Sequence, residues 1–409
     1  MSLKHTKTLI NKMKEDKFIV SILDNDLYKF SMSYFYMKTY PEAEGIFKFK
    51  DRDNRVYSEE FIERLNEEIQ NLGKLALKDE EFDWAKKTIK YIPQFYWEWL
   101  KGFRFDPKKV SAKLDDSGHL NIIVCDLLYK VTFYEVPILA LVSELYHEVQ
   151  GESDDLNIVK KNLDRKITIM NDNELKVADF STRRRSSFKV QDYVMKTLAT
   201  GSGRNNCTGT SNCYLAMKYG LKPIGTLAHE VIMAVASFFG YRMANYIVME
   251  GWSDVYHGDL GCMLTDTFGS DIFFKNFSKK HANLFNSIRQ DSGDEFEFVD
   301  KAIARYRELG IDPRTKTIVF SNALDFPKAV TVKQYCDGKG IRCSFGIGTN
   351  LCGNIEQFKP SNIVMKLDSV RISEREDWRK CIKLSDDLGK HMGDETELQR
   401  AAIELGISL

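Results

Sequence analysis

A chain of 409 residues is too long for one ordinary core, so at least two domains are expected, although an α/β barrel can absorb well over half of such a length. With 43% hydrophobic and 29% charged residues the composition is that of a folded globular protein rather than a disordered one. Lysine plus arginine and aspartate plus glutamate both total 59, so no net field draws nucleic acid or an anionic membrane, and any anion site has to be local.

The opening stretch MSLKHTKTLINKMKEDK is basic and lacks the apolar centre of a signal peptide. The longest apolar runs, such as VPILALV and IMAVASFF, fall short of the roughly 20 residues that a membrane span takes. A cytoplasmic protein without membrane contact is expected. Cysteines at 125, 207, 213, 262, 336, 343, 352 and 381 include no C-x-x-C pair, so they are expected to be buried thiols rather than metal ligands or disulfides.

The first 135 residues mix element types in no repeating order. EEFIERLNEEIQNLG sets Ile62, Leu65, Ile69 and Leu72 on one helical face, with Gly73 as its stop. YIPQFYWEWLKGFRFDP is expected to supply core aromatics. KLDDSGHLNIIVCDLLYKVTFYEV suggests strands with a turn at DDSG. This region is α+β.

The rhythm changes after a long helix beginning near Pro137. Short strand-like runs recur, each closing on a polar or glycine-containing cluster: VADFSTRRRSS, KPIGTLAHE, LGCMLTDTFG, FNSIRQDSGD, TIVFSNALD and CSFGIGTN. Amphipathic segments such as EFVDKAIARYRELG lie between several of them. Alternation of strand and helix implies parallel strands with right-handed crossovers, hence an irregular TIM-like α/β barrel over residues 136–364. The α+β domain of residues 1–135 is expected to be joined by residues 365–409.

Residues just beyond the carboxyl ends of barrel strands converge on one face. His229, Arg183, Asp266, Arg289, Asp291, Asn322 and Gly348 all fall at such ends. In FGIGTN, Gly346 and Gly348 with Thr349 fit a backbone anion nest. An arginine of STRRRSS that faces inward suits a carboxylate or phosphate. In RQDSGD, Asp291 and Asp294 could hold Mg²⁺ or a ribose diol, although Asp294 also suits a helix N-cap. Anion nests, guanidinium groups, acids and one imidazole together point to phosphate chemistry on a phosphorylated sugar.

Taken in order, LDNDLYKFSM, EVPILALVSEL, DFSTRRRSS, GTSN, PIGTLAHE, TDTF, RQDSGD, GIDPRTKTIVFSNALD, FGIGTNL, NIVMKL and KLSD give the chain an almost end-to-end resemblance to the bacterial nicotinate phosphoribosyltransferases. The resemblance implies the type II phosphoribosyltransferase fold. It also implies a reaction in which nicotinate and 5-phosphoribosyl 1-pyrophosphate give nicotinate mononucleotide and pyrophosphate, coupled to ATP hydrolysis, with Mg²⁺ as the cofactor and NAD salvage as the setting. By the same resemblance His229 is the phosphorylated histidine. Phe180 stacks on the pyridine ring, and Tyr28 covers its other face from the neighbouring subunit of a homodimer. Arg183 and Arg289 lie near the carboxylate and phosphates, and Asp266 and Asp291 near ribose and Mg²⁺. Ser321, Asn322, Gly346, Gly348 and Thr349 surround the 5-phosphate.

Ser211 of GTSN stands where related nicotinamide enzymes carry an acid, so its hydroxyl is expected to donate to the carboxylate of nicotinate. Two positions depart from the family pattern: Ser181 replaces a glycine in DFGTRRR, and FSNA replaces FSDN. A quinolinate- or nicotinamide-specific transferase, a sugar-phosphate isomerase or lyase using His229 as acid and base, and a nucleic-acid or regulatory binder using RRR are the competing readings.

Overall fold

The computed structural model describes residues 18–354 and 356–408. The basic opening stretch on which the cytoplasmic expectation partly rests is residues 1–17, outside the described residues. Among the described residues, no single helix is long and apolar enough to cross a membrane.

Two sheets carry the fold. In the first, β1 (Glu44–Asp51), β2 (Val110–Leu114) and β3 (Leu120–Leu127) join the late strands β10 (Ile363–Arg371) and β11 (Arg379–Lys380). Their order is β11-β10-β1-β3-β2, with every pairing antiparallel. Glu44 pairs with both Leu127 and Arg371, so β1 is the seam between early and late chain.

The second sheet is parallel and has the order β5-β4-β9-β8-β7-β6. It comprises β4 (Val177–Asp179), β5 (Cys207–Thr210), β6 (Cys262–Leu264), β7 (Ser287–Gln290), β8 (Thr317–Phe320) and β9 (Arg342–Ile347). Sequence neighbours are sheet neighbours, and β9 returns to pair with β4. The ladder is open between β5 and β6. Pro223 makes one parallel bridge to Thr210 there, and Thr226 Oγ1 donates to the Cys262 carbonyl at 2.8 Å.

Several local expectations hold. The helix Glu59–Leu72 buries Ile62, Leu65, Ile69 and Leu72, and Ser58 caps it by accepting from the Phe61 N–H. In the helix Gln94–Gly102, Tyr96, Trp97 and Leu100 are buried. Pro137 sits in the first turn of the helix Glu135–Val149, where its missing N–H has no intrahelical partner to lose. The run LYKVTFYEV, however, is helical from Leu128 onward, not a strand. Leu128, Val131, Phe133 and Tyr134 are all buried, and that packing overrides their preference for strand. All eight cysteines are free, four buried and four half-buried.

A buried ion cluster fastens the helix Leu27–Thr39 to the helix His229–Phe239. Lys29 Nζ lies 2.5 Å from Glu135 and 2.6 Å from Glu230, and Thr132 Oγ1 donates to Glu230 at 2.7 Å. Burial disfavours the Lys29 charge, but the two carboxylates prevail and raise its pKa. The residue next to His229 is thus locked to the N-terminal region.

Candidate active site

His229 is the first residue of its helix, at the end where backbone N–H groups lack intrahelical partners. Its Nδ1 lies 3.0 Å from Thr267 Oγ1, while Nε2 lies 3.1 Å from Lys383 Nζ, 3.2 Å from Asp291 Oδ2 and 3.8 Å from Asp266 Oδ1. With the Lys383 ammonium donating, Nε2 is the unprotonated nitrogen and Nδ1–H donates to Thr267, a tautomer assigned from its partners. Burial and Lys383 lower the pKa of His229 against the opposing pull of Asp266 and Asp291. The imidazole is therefore neutral at neutral pH, with its Nε2 lone pair accepting from the Lys383 ammonium.

Burial works to raise the pKa of Asp291, but the Arg289 guanidinium and the Lys383 ammonium hold its carboxyl well below the usual carboxylate range. Asp291 Oδ1 accepts from Ser321 Oγ at 2.7 Å, and Arg289 Nε donates to the same hydroxyl at 2.8 Å. Asp266 is fully buried. Its Oδ2 accepts from Ser292 Oγ at 2.6 Å, whereas its Oδ1 is buried without a hydrogen-bond partner. Ligand atoms of His229, Asp266 and Asp291 all lie within 4.8 Å of one another. Two carboxylates, one with an orphaned oxygen, suit a hard divalent cation that keeps most of its waters. Asp294 is no part of this group. It caps the helix Glu295–Glu308 by accepting from the N–H groups of Phe296 and Glu297 at 2.9 Å, which corrects its assignment as a metal ligand.

Two adjoining cavities share Tyr28, Arg183, Ala228, His229 and Asp291 as walls. The larger, about 540 Å³, runs down the inside of the parallel sheet past Phe180, Ser211 and Arg289. Arg289 stands over the Phe180 ring with its guanidinium carbon 5.7 Å from the centroid. The smaller, about 250 Å³, includes Ser321, Asn322 and the cations Arg52, Arg184, Lys366, Lys383 and Lys390. Burial, then Arg183 and Arg52, push Arg184 down to about 9, and burial with Arg52, Lys50 and Lys383 pushes Lys366 down to about 7. Cations crowded this closely are relieved by a polyanion.

Tyr28 and Phe180 line one cavity within a single chain, because the Lys29 cluster and the Leu27 N–H, which donates to the Ser211 carbonyl at 2.7 Å, dock the N-terminal helix in place. This corrects the expectation that Tyr28 reaches the ring from a neighbouring subunit. Gly346, Gly348 and Thr349 do not line either cavity. A Cβ on Gly346 would come within 2.2 Å of the Phe180 ring, and one on Gly348 within 2.8 Å of the Phe180 carbonyl, so these glycines make room for Phe180. Thr349 opens the turn Thr349–Gly353. Of the three arginines, Arg183 and Arg184 face the cavities, because Thr182–Arg184 form a 3₁₀ turn rather than the expected extended alternation. Arg185 is structural, fully buried between Asp24 and Glu144.

Both departures are accommodated. Ser181 has φ −92°, which needs no glycine, and its Oγ donates to the Gly348 carbonyl at 2.9 Å. Asn322 Oδ1 accepts from Lys390 Nζ at 2.5 Å, as an acid would. The Ser211 hydroxyl is not free for a ligand as expected; it donates to Asp26 Oδ1 at 2.7 Å. Arg52, Lys366, Lys383, Lys390 and Asp26 were not singled out from the sequence, although NDLYK, NIVMKL and KLSD, which hold Asp26, Lys366 and Lys383, are among the blocks that carry the resemblance.

The comparisons agree with this geometry. Residues 175–407 match the nicotinate phosphoribosyltransferase (NAPRTase) family, and residues 23–143 match that family's N-terminal domain. This chain belongs to the nicotinate phosphoribosyltransferase family. It is 41% identical to nicotinate phosphoribosyltransferase of Methanosarcina acetivorans over 407 residues, covering 95% of this chain and 98% of that one. It is 40% identical to that of Desulforapulum autotrophicum, covering 93% and 97%. The crystal structure of nicotinate phosphoribosyltransferase from Porphyromonas gingivalis superposes with a TM-score of 0.93 at 44% identity, over 95% of this chain and 100% of that one. The one from Vibrio cholerae gives 0.88 at 29% identity, over 96% and 94%. Membership supports nicotinate phosphoribosyl transfer as the activity and a role in NAD biosynthesis.

Proposed function

We propose that this chain joins nicotinate to 5-phosphoribosyl 1-pyrophosphate, and that ATP hydrolysis through a phosphohistidine at His229 drives the reaction in NAD salvage. The observation that carries the coupling is the unprotonated Nε2 of His229 set between Lys383 and Asp291 beside a cation-rich cavity. In the coupling step the Nε2 lone pair bonds to the γ-phosphorus of ATP as the bond to the ADP oxygen breaks. Lys383 lies where it balances the phosphate charge, and Thr267 keeps the other nitrogen protonated.

In the transfer step the pyridine nitrogen of nicotinate bonds to the anomeric carbon of the ribosyl group while the bond to pyrophosphate breaks. Positive charge develops on the ribosyl ring, so nearby acids matter more than a base. Phe180 and Tyr28 flank the pyridine, and Arg289 and Arg183 hold anionic groups at its edge. Ser321 and Asn322 belong to the phosphate side with Arg52, Arg184, Lys366 and Lys390, whereas Gly346 and Gly348 make room for Phe180 and Thr349 opens the turn that follows them. Asp266 and Asp291 would hold Mg²⁺, which supplies charge neutralisation for phosphate oxygens.

In this reading the parallel sheet is an irregular barrel over residues 136–364 whose β5–β6 gap is filled around Pro223. Residues 1–135 with 365–409 form the second domain, consistent with a sheet built from both regions. A homodimer in the cytoplasm belongs to the same reading, although Tyr28 gives no reason for the dimer. The test is direct: the protein with nicotinate, the phosphoribosyl donor, ATP and Mg²⁺ gives nicotinate mononucleotide, and ADP release depends on nicotinate. Absence of mononucleotide refutes the activity, and ADP release unaffected by nicotinate refutes the coupling.

A further inference from the structure

An acid stands in the ring cavity where the sequence suggested only a hydroxyl. Asp26 is 3% exposed and lines the cavity with Phe180, Arg183 and Ser211. Its position is fixed twice over, by the hydrogen bond from Ser211 Oγ and by a backbone bridge between Asp26 and Asn212. An ionised carboxylate at this point would repel the carboxylate of nicotinate and would accept from the N–H of a carboxamide. A protonated carboxyl would donate to the carboxylate instead.

We infer that nicotinate binds together with one proton, carried on Asp26, and that this carboxyl and the Ser211 hydroxyl form a proton-dependent selector between pyridine carboxylate and pyridine carboxamide. The inference rests on the cavity being the nicotinate site. Its energetic basis is that burial raises the pKa of Asp26, against the lowering by the hydrogen bonds of Ser211 and Thr182 and the charge of Arg183, with Asp179 adding to the rise. A bound carboxylate raises it further, since two carboxyl groups in contact share a proton.

The titratable and charged groups facing Asp26 are Arg183 and Asp179 from the β4 strand and its loop, Tyr28 on its own helix, and Cys213 on the helix that follows Asn212. Burial lifts the pKa of both Tyr28 and Cys213 well above their ordinary values, so neither ionises near neutral pH. Nicotinate is fully ionised there, leaving Asp26 as the group whose proton the ligand recruits.

The test is calorimetric binding of nicotinate to the full chain without ATP, from about pH 6 to about pH 9, in buffers of different ionisation enthalpy. Proton uptake should approach one per nicotinate as pH rises, with Kd weakening about tenfold per pH unit above the Asp26 pKa. In Asp26→Asn the uptake should vanish and Kd should be flat with pH. For the intact protein, the kcat/KM ratio of nicotinate to nicotinamide should fall as pH rises. Wild-type binding with no proton uptake and a constant Kd overturns the inference, as does an Asp26→Asn variant with the wild-type uptake. If the variant does not fold, the wild-type uptake and the substrate ratio decide. Nicotinate that binds and is turned over without these pH effects refutes the selector alone, whereas no binding at all refutes the site with it.

Discussion

Replacing Gly346 by alanine separates two roles for the FGIGTN loop. The new Cβ would stand 2.2 Å from Phe180 Cε2 and 2.4 Å from Cδ2, where ordinary contact begins at 3.4 Å. Something must move by about 1.2 Å, the difference of 3.4 and 2.2. The β9 backbone is pinned by parallel pairing to β4 on one side and β8 on the other, so the ring yields. Loss of an aromatic stack removes about 0.5–1.5 kcal/mol, which corresponds to about a 2- to 12-fold rise in KM for nicotinate. Overpacking also costs about 1–3 kcal/mol of stability. The assay is initial-rate kinetics with each substrate varied in turn, beside a denaturant melt. An unchanged KM for nicotinate, or a rise in KM for the phosphoribosyl donor alone, would refute the reasoning and return Gly346 to a phosphate nest.

His229→Asn should abolish nicotinate-stimulated ATP hydrolysis while slow, ATP-independent transfer persists, as read by ADP release and mononucleotide formation in parallel; retained stimulation removes His229 from the coupling. Because burial and Lys383 lower the pKa of His229, its neutral form survives below the ordinary histidine range, and the acid limb of ATP hydrolysis should lie there. Lys383→Met should move that limb to higher pH, and a limb that stays put sinks the pairing. Arg289→Ala loses a charge-assisted bond to Ser321 and the cation over Phe180, which should raise KM for nicotinate or the donor about 10- to 100-fold; a change in neither excludes Arg289 from the site. Asp291→Asn should weaken the Mg²⁺ dependence of turnover and Asp294→Asn should not, since asparagine caps a helix about as well as aspartate; the reverse order in an Mg²⁺ titration would restore Asp294 as a ligand.

What was legible in the sequence followed from period and punctuation. The 3.6-residue spacing of Ile62, Leu65 and Ile69 and the polar cluster after each short apolar run are local signals, and they located the helix Glu59–Leu72 and the strand ends that hold Asp266, Arg289 and Asp291, whereas KPIG before His229 forms a single bridge at Pro223 and no strand. Whatever depended on distant packing was not legible. LYKVTFYEV is helical because its apolar face meets residues far away in the chain, and the direction of each arginine in RRR was decided by a 3₁₀ turn. Asp294 resembled a metal ligand because a cap and a ligand use the same side chain at the same loop-to-helix step. Lys383 and Asp26 carry no local mark. They matter because β10 and β11 and the N-terminal helix deliver them to a histidine and a serine encoded in between.

That delivery has a consequence for biosynthesis. Tyr28 leaves the ribosome early, His229 midway and Lys383 and Lys390 late, and β1 waits through most of translation for its partner β10. A nascent chain therefore exposes one edge of β1 for a long interval, and the cation-rich cavity is complete only once β10 docks and Lys366, Lys383 and Lys390 join it.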